Sequence, residues 1–207
     1  MMVPDYNKIV WFYDQLAILV FGRKLEKAKC TYLNQIPHGA KVLVVGGGTG
    51  KIIDYLVQLN KQVSIDFVEP SSRMLLKAKK RMSIETKVNF YNCCIQDFGK
   101  IGYDTVITNF FFDQFTASHA QQILLHLKSK FNNNGLILFS DFVNSNHYWK
   151  KIINHIMYVF FRLTTNIEAA GFPPYDQVFL AAGFYKSATT KVTRNIVATI
   201  YAIVPPE

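Results

Sequence analysis

The chain has 207 residues, half of them hydrophobic, with 23 Lys and Arg against 14 Asp and Glu and a formal net charge of +9. That length suits one domain, and the composition makes a large buried core feasible. No Gly/Ser-rich or Pro-rich linker, internal repeat or low-complexity tract divides it. The charge favours anionic partners: nucleic acid, an anionic membrane surface or an acidic small molecule. Its basic residues are nevertheless spread out. The densest group, Lys77, Lys79, Lys80 and Arg81, falls where a solvated helix face is expected. The Arg/aromatic interleaving of single-strand nucleic-acid binders is missing. Cys30, Cys93 and Cys94 form no C-x-x-C pair, which points to a reducing compartment, the cytoplasm, and away from a structural metal.

In chain order, "IVWFYDQLAILVFG" (9–22) is apolar but is interrupted by Asp14 and Gln15. With no basic segment before it and no small-residue cleavage site after it, it reads as a helix of the fold. A basic, polar helix is expected over 23–35. A short buried strand follows at 42–45, then glycines, then a helix at 51–59. A second strand (62–70) ends in an acid and a proline, and a second helix (71–82) is opened by serines that can cap it. Strands are expected at 87–93, 103–112 and 136–142, with a helix at 117–131 ended by "NNNG". A long aromatic helix (147–163) and a short one (175–184) follow. Two β-rich runs, 186–193 and 196–203, are separated only by Arg194 and Asn195, as a hairpin would be. No segment reaches the ~18 uninterrupted apolar residues that a membrane span needs.

Strands alternating with helices at this spacing imply right-handed crossovers and a parallel sheet. The expected fold is α/β: a Rossmann-like, doubly wound sheet of seven strands, mostly parallel with a C-terminal antiparallel hairpin, and helices on both faces. Its expected organisation is an N-terminal helical cap (1–34), a ligand-binding core (35–142), a helical substrate lid (143–172) and a C-terminal helix with hairpin (173–207).

"VLVVGGGTG" (42–50) runs a buried strand into bare backbone, the arrangement that presents N–H groups to a ligand. The phosphate-binding loop G-x-x-x-x-G-K-[ST] fails at both ends, at Val45 and at Ile52. The dinucleotide fingerprint G-x-G-x-x-G fails at Lys51. Gly46, Gly48 and Gly50 instead form G-x-G-x-G. This spacing resembles the first motif of the class I S-adenosylmethionine (SAM) dependent methyltransferases. "VEPSSRMLLKAKKR", "YDTVITNFFFDQF", "LKSKFNNNGLILFSDF" and "LAAGF" before the hairpin look like later motifs of that superfamily, so the resemblance covers about 35–203. "YDQLAILVFG" and "SDFV" are similar to small-molecule methyltransferases of the ubiquinone/menaquinone-biosynthesis type.

The resemblance implies SAM as cofactor, with S-adenosylhomocysteine as product. It implies a cradle of Gly46, Gly47, Gly48, Thr49 and Gly50. Glu69 would hold the ribose diol, since a carboxylate can accept from both hydroxyls. Pro70, Met74, Cys94, Ile95 and Asn109 complete the implied cofactor contacts, with Met74 beside the adenine. Two positions depart from the pattern. Val44 stands where an acid is usual near the methionine end of the cofactor, and Cys94 where an Asp usually meets the adenine amino group. Asp97 lies three residues late.

Methyl transfer from a sulfonium is an in-line displacement that needs alignment and, for some acceptors, removal of a proton. Candidate positions follow strand four (Asn109 to Asp113) and strand five (Asp141 to Trp149), at the strand ends beside the glycines. Asp113 is a candidate general base or a turn cap. His147 is the titratable group best suited to proton transfer near neutral pH. Tyr13, Phe110, Phe111, Phe112, Trp149 and Arg162 are candidate acceptor contacts, the phenylalanines alternatively being core. His119 and His126, with no third ligand near, read as surface or packing residues. The expected acceptor is a small, apolar or aromatic molecule, and a basic, amphipathic lid also suits peripheral contact with a membrane. Methylation of tRNA, motivated by the charge, and a catalytically silent SAM-fold protein, motivated by Val44 and Cys94, remain open alternatives.

Overall fold

The computed structural model describes residues 22–59, 62–81, 87–143 and 171–203. The N-terminal aromatic helix with Tyr13, and the lid helix with His147, Trp149 and Arg162, lie outside the described residues.

Seven strands form one sheet among the described residues: β1 (Lys41–Val45), β2 (Ser64–Val68), β3 (Lys87–Tyr91), β4 (Tyr103–Asn109), β5 (Phe131–Phe142), β6 (Phe184–Thr193) and β7 (Ile196–Ile203). Their order is β3-β2-β1-β4-β5-β7-β6. β1 to β5 pair in parallel, while β7 pairs antiparallel with both β5 and β6. The hairpin turns at Arg194 and Asn195, as the sequence predicts. The strand order reverses between β1 and β4, and the crevice above such a switch point is where open α/β sheets bind ligands.

Alternation along the strands builds two cores. Leu43 and Val45 of β1 join Val106, Ile137 and Phe139 on one face, under α4 (Ala117–Lys128) and α5 (Tyr175–Ala181). Val42 and Val44 join Ile65, Phe67 and Ile107 on the other, under α2 (Lys51–Gln58) and α3 (Ser72–Lys79). Helices thus cover both faces, as a parallel sheet buried on each side requires. Asp66, buried within β2, accepts from the Tyr103 hydroxyl at 2.6 Å and from the Asn89 amide at 2.8 Å. A buried charge in a strand needs such partners. No helix of the described residues is long and apolar enough to cross a membrane.

Three boundaries differ from the sequence expectation. The helix expected over 23–35 is α1 (Lys24–Cys30) followed by a 3-10 turn, Leu33–Gln35. Thr31 donates its hydroxyl back to the Lys27 carbonyl at 2.8 Å, a local bond that competes with continuing the helix. β4 ends at Asn109 rather than at 112, because Phe110 takes a left-handed backbone, φ 53°. "NNNG" is no simple turn: β5 begins at Phe131 opposite Tyr103, and its register jumps before Leu136 meets Thr105.

Candidate functional site

The glycine segment is shaped by what surrounds it. Gly46 donates its N–H to Val68 O at 2.9 Å, which bends the chain from β1 toward β2. Gly50 opens α2 with φ 79°, and a Cβ there would lie 2.8 Å from the Ala78 Cα of α3. Only glycine fits both that conformation and that approach. Gly48 also has positive φ, 58°, yet a Cβ there would meet nothing within 4 Å. Its side faces open space in the crevice, which is the room a ligand on bare backbone requires. Behind the loop, Arg81 donates Nε to Thr49 O at 2.8 Å and Nη1 to Asp54 at 2.7 Å.

Glu69 follows β2 directly and is buried, 4 % exposed. Its Oε2 accepts from Gly48 N and its Oε1 from Ser71 N, each at 2.9 Å. Burial raises its pKa, and the two amide bonds oppose that rise by favouring the charged form. Ser71 caps α3, accepting from Met74 N at 3.2 Å. Met74 is buried behind it. Asn92 donates to the Glu69 and Pro70 carbonyls at 3.0 and 2.8 Å, tying the end of β3 to the end of β2. Cys94 and buried Ile95 continue from there into a 3-10 turn, Ile95–Asp97, in which Asp97 N donates to Cys94 O at 3.1 Å. Asp97 therefore lies one turn from Cys94. The Cys94 thiol is pushed up by burial and then by the charges of Asp97 and Glu69.

Across the loop, a cleft is bounded by Gly46 to Thr49 on one side and by Asn109 and Phe110 on the other. Lys29 of α1 and Lys51 of α2 line it, and Val44 and Ile107 form its apolar floor. The Lys29 ammonium stands over the Phe110 ring, 5.7 Å from its centre. Phe110 N donates to Ser140 O at 2.7 Å, which holds the strained residue against β5. The three phenylalanines proposed as acceptor contacts separate. Phe110 borders the cleft, Phe111 packs at Gly46, and Phe112 is fully enclosed in the core against Phe139 and Phe179. Phe112 is therefore a core residue.

Beyond Phe112 two acids meet. Asp141 is fully buried at the end of β5. Its Oδ2 accepts from Phe112 N at 3.0 Å and from Asp113 N at 3.2 Å, and its Oδ1 from Phe142 N at 2.8 Å. Asp113 sits in a 3-10 turn, Phe112–Gln114, with its carboxyl facing Asp141. Desolvation, opposed by amide bonds from its own residue and Gln114, pushes Asp113 up to about 7. Asp141 is raised by burial and then by the charge of Asp113. Two enclosed carboxyls without a cation hold a proton between them. The Tyr175 hydroxyl of α5 lies in the field of both acids, is buried, and meets no partner with hydrogen-bond geometry. A cavity of about 400 Å³ opens beside Tyr175, between Pro173, Pro174 and the β6–β7 surface.

Residues 43–137 match the family model described as a methyltransferase domain. The chain carries a class I methyltransferase domain. Solved structures share its fold. A Burkholderia thailandensis 1,6-didemethyltoxoflavin-N1-methyltransferase, crystallised with 1,6-didemethyltoxoflavin and S-adenosylhomocysteine, is 15% identical, with 95% of this chain and 86% of that chain covered and a TM-score of 0.68. Magnesium protoporphyrin IX methyltransferase from Synechocystis PCC 6803 is also 15% identical, covering 92% and 87%, with a TM-score of 0.64. A Haloferax volcanii complex between the Trm112 methyltransferase activator and a methyltransferase contains a chain 12% identical, covering all of both chains, with a TM-score of 0.70. No curated protein matches the sequence.

In this methyltransferase domain the structure brings Gly46 to Gly50, Glu69, Pro70, Met74, Cys94, Ile95 and Asn109 to one crevice edge. Asp113 lies deeper, beside Asp141. Sequence reasoning gave no role to Lys29, Lys51 or Tyr175. Lys29 has no local signal, since it reaches the cleft from a helix far upstream. Tyr175 has a faint one: Pro173 and Pro174 start a helix there, which sets the next residue at its first turn.

Proposed function

We propose that this protein transfers a methyl group from SAM to a small, apolar or aromatic acceptor. The observation that carries the reading is the meeting of Gly48 and Glu69. Each Glu69 oxygen takes one backbone N–H and keeps a lone pair for a vicinal diol. The open side of Gly48 leaves space beside it. These residues fit a nucleoside ligand. Gly46 to Gly50 would hold its amino-acid part by backbone, Glu69 its ribose, and Met74, Cys94 and Ile95 its base. SAM, when bound, supplies an activated methyl group, so the protein has only to align the acceptor and accept a proton.

Asp113 and Asp141 are the groups we assign to proton acceptance. With Asp113 raised to about 7, its basic form gains population as pH rises through neutrality. Phe110 gives the crevice an aromatic wall, and the relatives named above act on or bind small molecules: one is crystallised with 1,6-didemethyltoxoflavin and one acts on magnesium protoporphyrin IX. The free thiols Cys30, Cys93 and Cys94 support a cytoplasmic location.

Calorimetric titration with SAM tests the cofactor reading, and absence of heat at millimolar SAM defeats it. Release of S-adenosylhomocysteine from SAM, screened over acceptor libraries, tests catalysis. The rate is expected to rise with pH through about 7, and Asp113→Asn is expected to remove that limb of the profile.

A further inference from the structure

The two ends of the crevice carry opposite charge. At one end the buried acid is Glu69. At the other, where the cleft passes between the glycines and Asn109, the only charged side chains in its lining are the two lysines, Lys29 and Lys51. Val44, on the cleft floor, is 2 % exposed and packs with Phe67 and Ile107, so the strand contributes no carboxylate there. The nearest acid described is Glu26 on α1, 3.6 Å from Lys51 and outside the lining. It neutralises one cation at most, and the cleft end stays positive. Lys29 is held over the Phe110 ring, and Lys51 is side-chain 22 % exposed, so both are partly withdrawn from solvent where an anion is held more firmly than at an open surface.

A nucleoside ligand with an amino-acid tail offers this end a carboxylate and an ammonium. Two lysines attract the first and repel the second. We propose that Lys29 and Lys51 form a carboxylate-binding pair, and that this protein selects its ligand by the carboxylate of the tail and not by the ammonium. The proposal rests on the SAM reading of the crevice and adds to it which tail group decides affinity. It also accounts for Val44. With the ammonium left to solvent, an acid on β1 has no partner to hold.

The test is a calorimetric series on the whole protein with four adenosine thioethers: S-adenosylhomocysteine, its analogue lacking the carboxylate, its analogue lacking the amino group, and methylthioadenosine, which lacks both. Removing the carboxylate is expected to weaken binding about 10-fold or more, the worth of a charge-assisted contact, while removing the amino group changes it less than about 3-fold. Lys29→Met is expected to weaken S-adenosylhomocysteine by a similar factor and to leave the carboxylate-free analogue unchanged. Raising salt should narrow the gap between the acid and its carboxylate-free analogue. A larger loss on removing the amino group than on removing the carboxylate overturns the proposal and leaves the SAM reading standing. Failure of all four to bind a folded protein overturns both. If Lys29→Met does not fold, the ligand series on the parent protein decides alone.

Discussion

Glu69 and Asp141 invite comparison. Each stands at the C-terminal end of a parallel strand, each is almost wholly buried, and each accepts backbone N–H groups, two for Glu69 and three for Asp141. Counting donors alone would make Asp141 the better-stabilised anion. The opposite holds, because Asp141 faces Asp113 while Glu69 faces no second acid among the groups that move it. Company, more than the number of donors, decides which buried acid keeps its charge. One end of the sheet edge thereby holds a lone carboxylate suited to a diol. The other holds a pair suited to exchanging a proton.

The comparison breaks most severely at Glu69. Glu69→Ala leaves Gly48 N and Ser71 N buried without their acceptor, at roughly 1–3 kcal/mol for each. A loss of about 3 kcal/mol is expected in chemical denaturation, and S-adenosylhomocysteine heats should vanish in calorimetry. If stability falls but affinity holds, the diol role is wrong. Asp113→Asn is expected to act in the reverse direction. The folded value of about 7 lies above the ordinary 3.8, so the folded state binds more protons between those limits. Stability of the parent protein should therefore fall as pH rises from about 4 to about 7. Removing one acid flattens that slope, leaving the variant about 1–2 kcal/mol more stable than the parent at pH 8 and little changed at pH 4. Melting temperature followed across pH checks this, and parallel curves for the two proteins would refute the shared proton.

The same contrast explains what was readable in the sequence. The glycine loop and Glu69 are readable because strand, turn and helix follow each other within one βαβ unit, where spacing and geometry are bound together. The hairpin was readable for a similar reason, since two β-rich runs with two residues between them have few other folds. Asp113 and Asp141 sit 28 residues apart and meet only because β5 lies beside β4. No periodicity reports that contact. "FFF" at 110–112 could not be divided by sequence, because the left-handed turn at Phe110 sends three like side chains to three environments. The lysines of the cleft are harder still. Lys51 follows the loop, but Lys29 reaches it from α1, and a lysine on a short basic helix carries no mark that separates a ligand contact from a solvated face.

The smallest expected effect concerns Arg81, which links the two helices behind the loop. Its guanidinium reaches Thr49 O from the end of α3 and also pairs with Asp54 of α2. Both contacts are partly exposed, with side-chain exposures of 31 % and 38 % for Arg81 and Asp54, so their worth is limited by solvent. Arg81→Ala is expected to cost about 1 kcal/mol in denaturation and to weaken S-adenosylhomocysteine a few-fold, since Thr49 closes the cradle that Gly48 shares with Glu69. Arg81→Lys should restore little of either, because one ammonium on a flexible stem does not reproduce a planar fork that meets a carbonyl and a carboxylate together. A full rescue by lysine would mean that charge alone holds the loop, and the cofactor end would then depend on electrostatics as much as the acid pair does.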